Sequence, residues 1–389
     1  MNSDFHYYAT YCAAYIAGYS HEESLQIAYS AQFTDCCSRT LLRKIGGPGA
    51  AATTQLQLEL MDLNSDPVTQ QDITRIWASF HFLPGDLHAK KDHCSKRYLQ
   101  KYRLICEPNS DLLISTVELA KGRSLQAAGL AMHVLADTWA HRHFAGTPSL
   151  AINNTNYYFY EIVRGPDGSE EREIHFNHNP YSADDPDTGK YTNSLYQGEE
   201  NSVMNLGHGR AGHLPDYSFA RYRYLPAWAD YREVIKDNPS DYLHAFTQMI
   251  CALKYLRGDL ATFDKEQYDV EAINPWREQI GEILTRRQLD ASEDWKQFGE
   301  TLSGQRIEDF DLEKYQQEYR SADKDAKDAT FLGQFILAAL AQKSMVTGRI
   351  FRSGNLLAGL SYDYDTHGFR GIRDFRRLIK AYREVQSDD

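Results

Sequence analysis

The stretch His133-Val134-Leu135-Ala136-Asp137-Thr138-Trp139-Ala140-His141 decides how this chain is read. Its three ligand-type residues stand at i, i+4 and i+8, so a helix stacks them along one stripe. Leu130, Met132, Val134, Leu135 and Trp139 cover the other faces and direct the stripe inward. Two buried imidazoles and a carboxylate need partners, and a metal ion satisfies all three. A histidine pair hydrogen-bonded to Asp137 in the core is the plainer alternative. At about 1.5 Å rise per residue, His133 and His141 lie roughly 12 Å apart along the axis. That separation is too long for one ion but suits two ions a few Å apart with Asp137 between them.

Helical patterning continues on both sides. Residues 5–19 read as a helix carrying Tyr7, Tyr8, Tyr11 and Tyr15. Ser20-His21-Glu22-Glu23 has the form of a capping box and opens a second helix, which runs to Gly46-Gly47-Pro48-Gly49. A third covers 70–83 and stops at Pro84-Gly85. Asn109 to Lys121 forms a fourth, with Gly122 as its C-cap. Ser124 caps the helix of the opening stretch, and Gly146-Thr147-Pro148 ends it. Two strand-like runs, Tyr157–Val163 and Glu173–Phe176, flank Gly165-Pro166-Asp167-Gly168 and predict an inserted β-hairpin. A polar loop, of the kind that forms lids, follows to about residue 212. Helices are expected again at 226–236 and 239–257. The expected fold class is therefore all-α: a metal-binding helical core over 1–258, interrupted by the hairpin and loop insertion at about 151–212, and a C-terminal helical module over 259–389.

The chain has 389 residues and a formal net charge of -12, with no Lys/Arg cluster. Capture of long nucleic acid by counterion release is not expected of such a surface. Divalent cations held inside an acidic protein would still attract a phosphate locally. Six cysteines lack CxxC spacing and read as reduced, mostly buried thiols. Met1-Asn2-Ser3-Asp4-Phe5-His6 has no basic n-region followed by an apolar run, and no apolar stretch has membrane-span length. A cytoplasmic protein without a transmembrane segment is the expectation.

Further ligands must come from elsewhere in the chain. Asp35 lies in Ala31-Gln32-Phe33-Thr34-Asp35-Cys36, and His81 in Trp77-Ala78-Ser79-Phe80-His81-Phe82-Leu83. Each is a polar group in an apolar setting, and each alone is ordinarily a satisfied core residue. Beside the HxxxDxxxH stripe they point to shared ions. His213-Leu214-Pro215-Asp216 can chelate an ion from a turn, with His208 in Gly207-His208-Gly209-Arg210 as the competing ligand. Asp4 and His6 can reach a metal from the first helix. His143 faces about 160° away from His141 and joins only if the helix unwinds before Gly146.

In this order, Asp35, His81, His133-xxx-Asp137, a following His and His213-xx-Asp216 resemble the zinc-dependent phospholipase C and single-strand-specific nuclease superfamily. The His133–Asp137–His141 spacing is most similar to its heterokaryon-incompatibility C-like members. As a whole the chain also resembles a bacterial family of unknown function that begins Asp-Phe-His-Tyr-Tyr and carries Gly-His-Leu-Pro-Asp. The superfamily resemblance implies an all-α fold holding a trinuclear zinc cluster that hydrolyses phosphoesters, and two or three zinc ions are expected in this chain. It implies that Asp35, His81 and His133 bind one ion, Asp137 bridges, and His141 (or His143), His213 and Asp216 bind another. His6 matches a ligand of the third ion. Members commonly complete that ion with the free amine of a Trp exposed by signal removal. This chain begins at Met1, leaving Asp4 as the replacement the resemblance allows.

Hydrolysis then needs a carboxylate to orient water, Asp137 or Asp4, and Arg142 or Arg210 to hold a phosphate oxygen, although a solvated Arg is the plainer meaning of each. The expected partner is a phosphoester-containing small molecule or lipid, with no stable nucleic-acid complex. A nuclease or nucleotidase with the same site, or a metal-stabilised binding protein without turnover, are the alternatives. An HD-type phosphohydrolase needs adjacent His-Asp, which the chain lacks. Tyr217, Tyr222, Tyr224 and Trp228 could enclose a base or a choline group, but such spacing usually marks core. The run Phe331–Leu337 reads as a lipid-facing surface or, more commonly, as a buried helix.

Overall fold

Capping signals set the helix boundaries. The computed structural model describes residues 1–56, 67–156, 158–165, 168–179, 182–193 and 206–358. A π-helical turn, Asp4–Ala9, runs into α1 (Thr10–Ile16). The capping box forms as expected: Ser20 N donates to Glu23 and Glu23 N donates to Ser20 Oγ, opening α2 (His21–Cys36). The single helix expected up to Gly46 is two. Ser38 Oγ accepts the Leu41 amide and starts α3 (Arg39–Ile45), which closes on left-handed Gly46. Serine favours a helix start over a helix interior, so the chain turns there. Next come α4 (Pro67–Phe80), α5 (Lys96–Tyr102), α6 (Asp111–Ala120) and α7 (Leu125–Ala140). Beyond these lie α8 (Leu150–Asn153), α9 (Gly207–Ala211), α10 (Asn238–Arg257), α11 (Arg277–Thr285), α12 (Ser292–Ser303), α13 (Gln316–Ser321) and α14 (Phe331–Arg352).

Helix α7, which carries the opening stretch, lies at the centre and is buried on every face from Gln126 to Ala140. Helices α2, α6, α10 and α14 pack around it. The α2 contact is the tightest: a Cβ at Gly129 would stand 2.2 Å from the Ile27 carbonyl oxygen, an approach only glycine permits. That approach brings the C-terminal turn of α2, with Asp35, beside α7.

The fold is mainly helical but not all-α. A four-stranded sheet runs in the order β2-β1-β5-β6, made of β1 (Tyr160–Gly165), β2 (Gly168–Glu173), β5 (Arg221–Tyr224) and β6 (Val234–Asp237). A hairpin forms around the expected turn, but its second strand is Gly168–Glu173 instead of Glu173–Phe176, pairing Tyr160 with Glu173 and Gly165 with Gly168; residues 166–167 lie outside the described residues. His175–Asn177 does not continue β2 but forms β3, parallel to β4 (Lys190–Thr192). The helix expected at 226–236 is absent: a 3-10 turn, Ala227–Ala229, leads into β6. The strand signal lay just upstream, where Tyr222 and Tyr224 are buried and Arg221 and Arg223 half-exposed, the period-2 pattern of a strand. Residues 194–205 of the expected loop lie outside the described residues.

The hydrophobic core crosses Gly258 without a break. Phe33 of α2 meets Phe335 of α14 at 4.9 Å between ring centres, and Phe5 meets Trp295 of α12 at 6.0 Å. The residues beyond 258 thus share one core with those before it. In the run 331–337, Phe331, Leu332, Phe335 and Ile336 are buried, which is the buried-helix meaning. Tyr217, Tyr222 and Tyr224 belong to a second cluster beneath the sheet, and Trp228 to the main core. No helix among the described residues is long and apolar enough to cross a membrane.

Candidate metal centre

Six elements deliver ligand-type groups to one buried place. His6 comes from the π-helical turn, Asp35 from the last turn of α2, and His81 from the residue after α4. His133 and Asp137 come from α7, with His141 at its C-cap. His208 comes from α9 and Asp216 from the short 3-10 turn Leu214–Asp216. A carboxylate at a helix C-terminus, as at Asp35, meets the negative end of the dipole and calls for a cation. The Asp216 turn is held from behind: Asn238 Nδ2 donates to the Leu214 and Tyr217 carbonyls, and the Tyr242 hydroxyl to Pro215.

Asp137 sits at the middle, 1 % exposed. Its Oδ1 lies 3.1 Å from His6 Nε2 and its Oδ2 lies 3.1 Å from His81 Nδ1 and 3.2 Å from His133 Nε2. His141 Nε2 lies 3.3 Å from Asp216 Oδ1, and His208 Nε2 lies 3.2 Å from the same oxygen. Three groups bring ligand atoms within 4.8 Å of one another and could hold metal ions: His6–His133–Asp137, Asp35–His81–His133 and His141–His208–Asp216. One ring lone pair serves one ion, so Asp35–His81–His133 and His141–His208–Asp216 can fill without sharing. His6 and Asp137 remain between them.

Hydrogen bonds around the cluster set the tautomers. His81 Nε2 stands 2.9 Å from the Thr53 carbonyl, which can only accept, so Nε2 carries the hydrogen. In a neutral ring the Nδ1 lone pair then faces Asp137 and Asp35. His141 Nδ1 donates to the His81 carbonyl at 2.7 Å and leaves the Nε2 lone pair facing Asp216. An imidazole lone pair against a carboxylate oxygen is repulsive unless a cation lies between. Orienting one ring nitrogen by a backbone carbonyl so that the other can ligate is the usual arrangement behind metal-bound histidine. The Nδ1 atoms of His6 and His133 are buried with no partner among the described residues.

The electrostatics divide the histidines. Burial pushes His6, His133 and His141 down to about 4, which keeps them neutral and ligand-competent at pH 7. His81 is shifted up: burial opposes the charge, but Asp137 and Asp35 outweigh it. Burial also resists ionising Asp137 and Asp216, yet the neighbouring imidazoles and the Met1 amine hold both carboxyls well below the usual range.

Several expected residues fall elsewhere. Asp4 is outside the three groups, its carboxylate accepting the Phe5 amide at 2.7 Å and the Ala291 amide at 3.2 Å, and an amine stands at the cluster instead. The amine is Met1's own. It lies 3.0 Å from Asp137 Oδ1, 3.2 Å from Asp216 Oδ1 and 3.3 Å from His141 Nε2. No side-chain signal in the sequence marks a backbone amine. His208 stands in the ligand triad, whereas His213 is 61 % exposed and reaches the other oxygen of Asp216 from outside, at 3.3 Å. The glycines beside His208 were the signal: Gly207 packs where a Cβ would meet Phe144 at 3.3 Å. His143 leaves the cluster because it adopts a left-handed backbone, φ 78°, and pairs with Glu107 at 2.7 Å. Arg142 is 39 % exposed and is held by Glu107 at 3.0 Å, whereas Arg210 is buried, so only Arg142 keeps the solvated guanidinium.

The chain matches a family of unknown function (DUF6765) over residues 1–350 and belongs to it. No curated protein and no solved structure matches it.

Proposed function

We propose that this member of a family of unknown function is a metal-dependent phosphoester hydrolase with a multinuclear centre, zinc being the first candidate for its His/Asp donors. The observation that carries the reading is the paired orientation of His81 and His141: backbone carbonyls hold the outer nitrogens, and both inner nitrogens aim at buried carboxylates. A pair of core histidines satisfied by Asp137 alone leaves the convergence of Asp35, His208 and Asp216 on the same place without a reason. On this reading Asp35–His81–His133 holds one ion and His141–His208–Asp216 a second. His6, Asp137 and the Met1 amine form the set for a third. The amine thus takes the place that Asp4 was expected to fill.

Ions bound there supply Lewis acidity and bring the pKa of a bound water toward neutrality. The residues do the rest. Asp137, with each oxygen turned to a different group of histidines, spaces the sets along α7. Asp35, 30 % exposed where the other two carboxylates are nearly closed off, is the one open to solvent. Its Oδ1 and Oδ2 lie 3.7 Å from His81 and 3.9 Å from His6, so it is placed to orient an incoming water and accept its proton. Asp35 therefore takes the water-orienting role expected of Asp4 or Asp137. The formal charge of -12 favours a small phosphodiester or lipid headgroup over a long polyanion. Hydrolysis assays on phosphocholine lipid and on single-stranded DNA, with zinc-loaded wild type and Asp35→Asn, test the reading. Turnover of the lipid or a small diester, lost in the variant, is expected. No turnover of any phosphoester by a fully loaded protein would remove the catalytic claim and leave a metal-stabilised binding protein.

A further inference from the structure

One buried cation of the molecule lies outside the cluster and touches the helix that carries it. Lys236 is the inward-facing residue of β6, and its side chain is fully buried. Its ammonium donates to the Trp139 carbonyl at 2.8 Å, one of the last carbonyls of α7, and pairs with Asp241 at 2.5 Å. Burying an ion pair costs more than an apolar pair of the same volume, so its presence calls for a reason. From it an alternating chain of charge continues. Asp241 Oδ1 faces Arg142 Nη1 at 3.8 Å, Arg142 Nε meets Glu107 at 3.0 Å, and Glu107 meets His143 at 2.7 Å. His141, between Trp139 and Arg142, is thereby gripped from both sides. Before it, Lys236 fixes the helix end. After it, Glu107 holds Arg142 and His143, while the Trp228 indole and the Tyr224 hydroxyl donate to the His143 carbonyl.

We infer that the Lys236–Asp241–Arg142–Glu107–His143 chain positions His141, so that it sets the affinity of the His141–His208–Asp216 site for its ion. These are positioning residues: none offers an atom to the cluster. The inference rests on the metal reading above, and its consequence is selective. Disturbing the chain weakens one ion and spares those held by His6, His81 and His133.

The test is Zn2+ titration of metal-stripped full-length protein in competition with a chromogenic chelator, with circular dichroism to check folding. Two variants are compared with wild type. Lys236→Met with Asp241→Leu removes the buried pair without leaving a lone charge, and Glu107→Gln cuts the chain on its other side, where Glu107 is 23 % exposed. Loss of an outer partner costs about 10- to 100-fold in metal affinity. In whichever variant folds, the expected result is one Zn2+ equivalent weakened by that factor and the rest unchanged. Wild-type titration curves in folded variants would overturn the inference. If wild type itself binds no Zn2+, the metal reading fails instead, and the two failures are thereby told apart.

Discussion

At the residue scale, what distinguishes a ligand from a bystander is where its second polar atom goes. His81 and His141 each spend one nitrogen on a carbonyl, Thr53 and His81 respectively, and turn the other to the cluster. Type and spacing made Asp35, His81, His133, Asp137, His141 and Asp216 legible in the sequence, because each is a polar group on an apolar helix or in a tight turn. The choice between His208 and His213 was not legible. It depends on α9 lying against Phe144 and Phe82, a contact distant in sequence. The structure predicts that His208→Ala loses one bound metal equivalent while His213→Ala keeps all of them, as read by elemental analysis of the purified proteins. The Met1 amine gives a second prediction. Extending the chain by two residues ahead of Met1 places an amide where the amine lies beside Asp137, so at least one ion should weaken about tenfold or more. A titration identical to wild type would show that the amine is no ligand.

Among the elements, capping explains what could be read and what could not. Ser20 and Ser124 each accept an amide three residues on, and their helices begin where the sequence places them; Ser110 does the same for α6, which starts at Asp111 and not at the expected Asn109. Ser38 does the same, but its signal was hidden inside a long helical pattern, and the helix breaks there. Strands β5 and β6 were harder to read. Each is four residues long, and a charged residue occupies half of the positions, so periodicity had little to act on. The junction of α2 with α7 matters most for function, since it sets Asp35 beside His81 and His133. Gly129→Ala places a methyl 2.2 Å from the Ile27 carbonyl oxygen, and the helices must part. Overpacking of this kind costs about 1–3 kcal/mol. Urea denaturation should show that loss, together with weaker metal binding through the displaced Asp35; unchanged values of both would mean the helix pair yields freely.

For the whole molecule, one core runs from Met1 to Ala358, and residues on both sides of Gly258 contribute to it. The sequence suggested a boundary there because Gly258 ends α10 and the chain turns more charged. Contacts such as Phe5–Trp295 join segments some 290 residues apart and leave no local trace. The same burial predicts a pH dependence. Burial pushes the Cys251 thiol up to about 11 and raises Cys12 further, whereas an unfolded thiol titrates near about 8.5. A raised folded pKa gives stability that is complete below about 8.5 and is lost as pH climbs toward the folded value. Unfolding free energy should therefore fall between pH 9 and 10.5, and Cys12→Ala should flatten that fall by about 1.4 kcal/mol per pH unit. An unaltered slope would mean the thiol is not closed off. The central claim is that three carboxylates and five imidazoles converge on metal. It is tested most directly by elemental analysis of the purified, folded chain with Asp137→Ala beside it. Two or three zinc ions per wild-type chain, with most of them lost in the variant, is the predicted result. A wild type that is fully folded, refuses added divalent metal and carries none would contradict it.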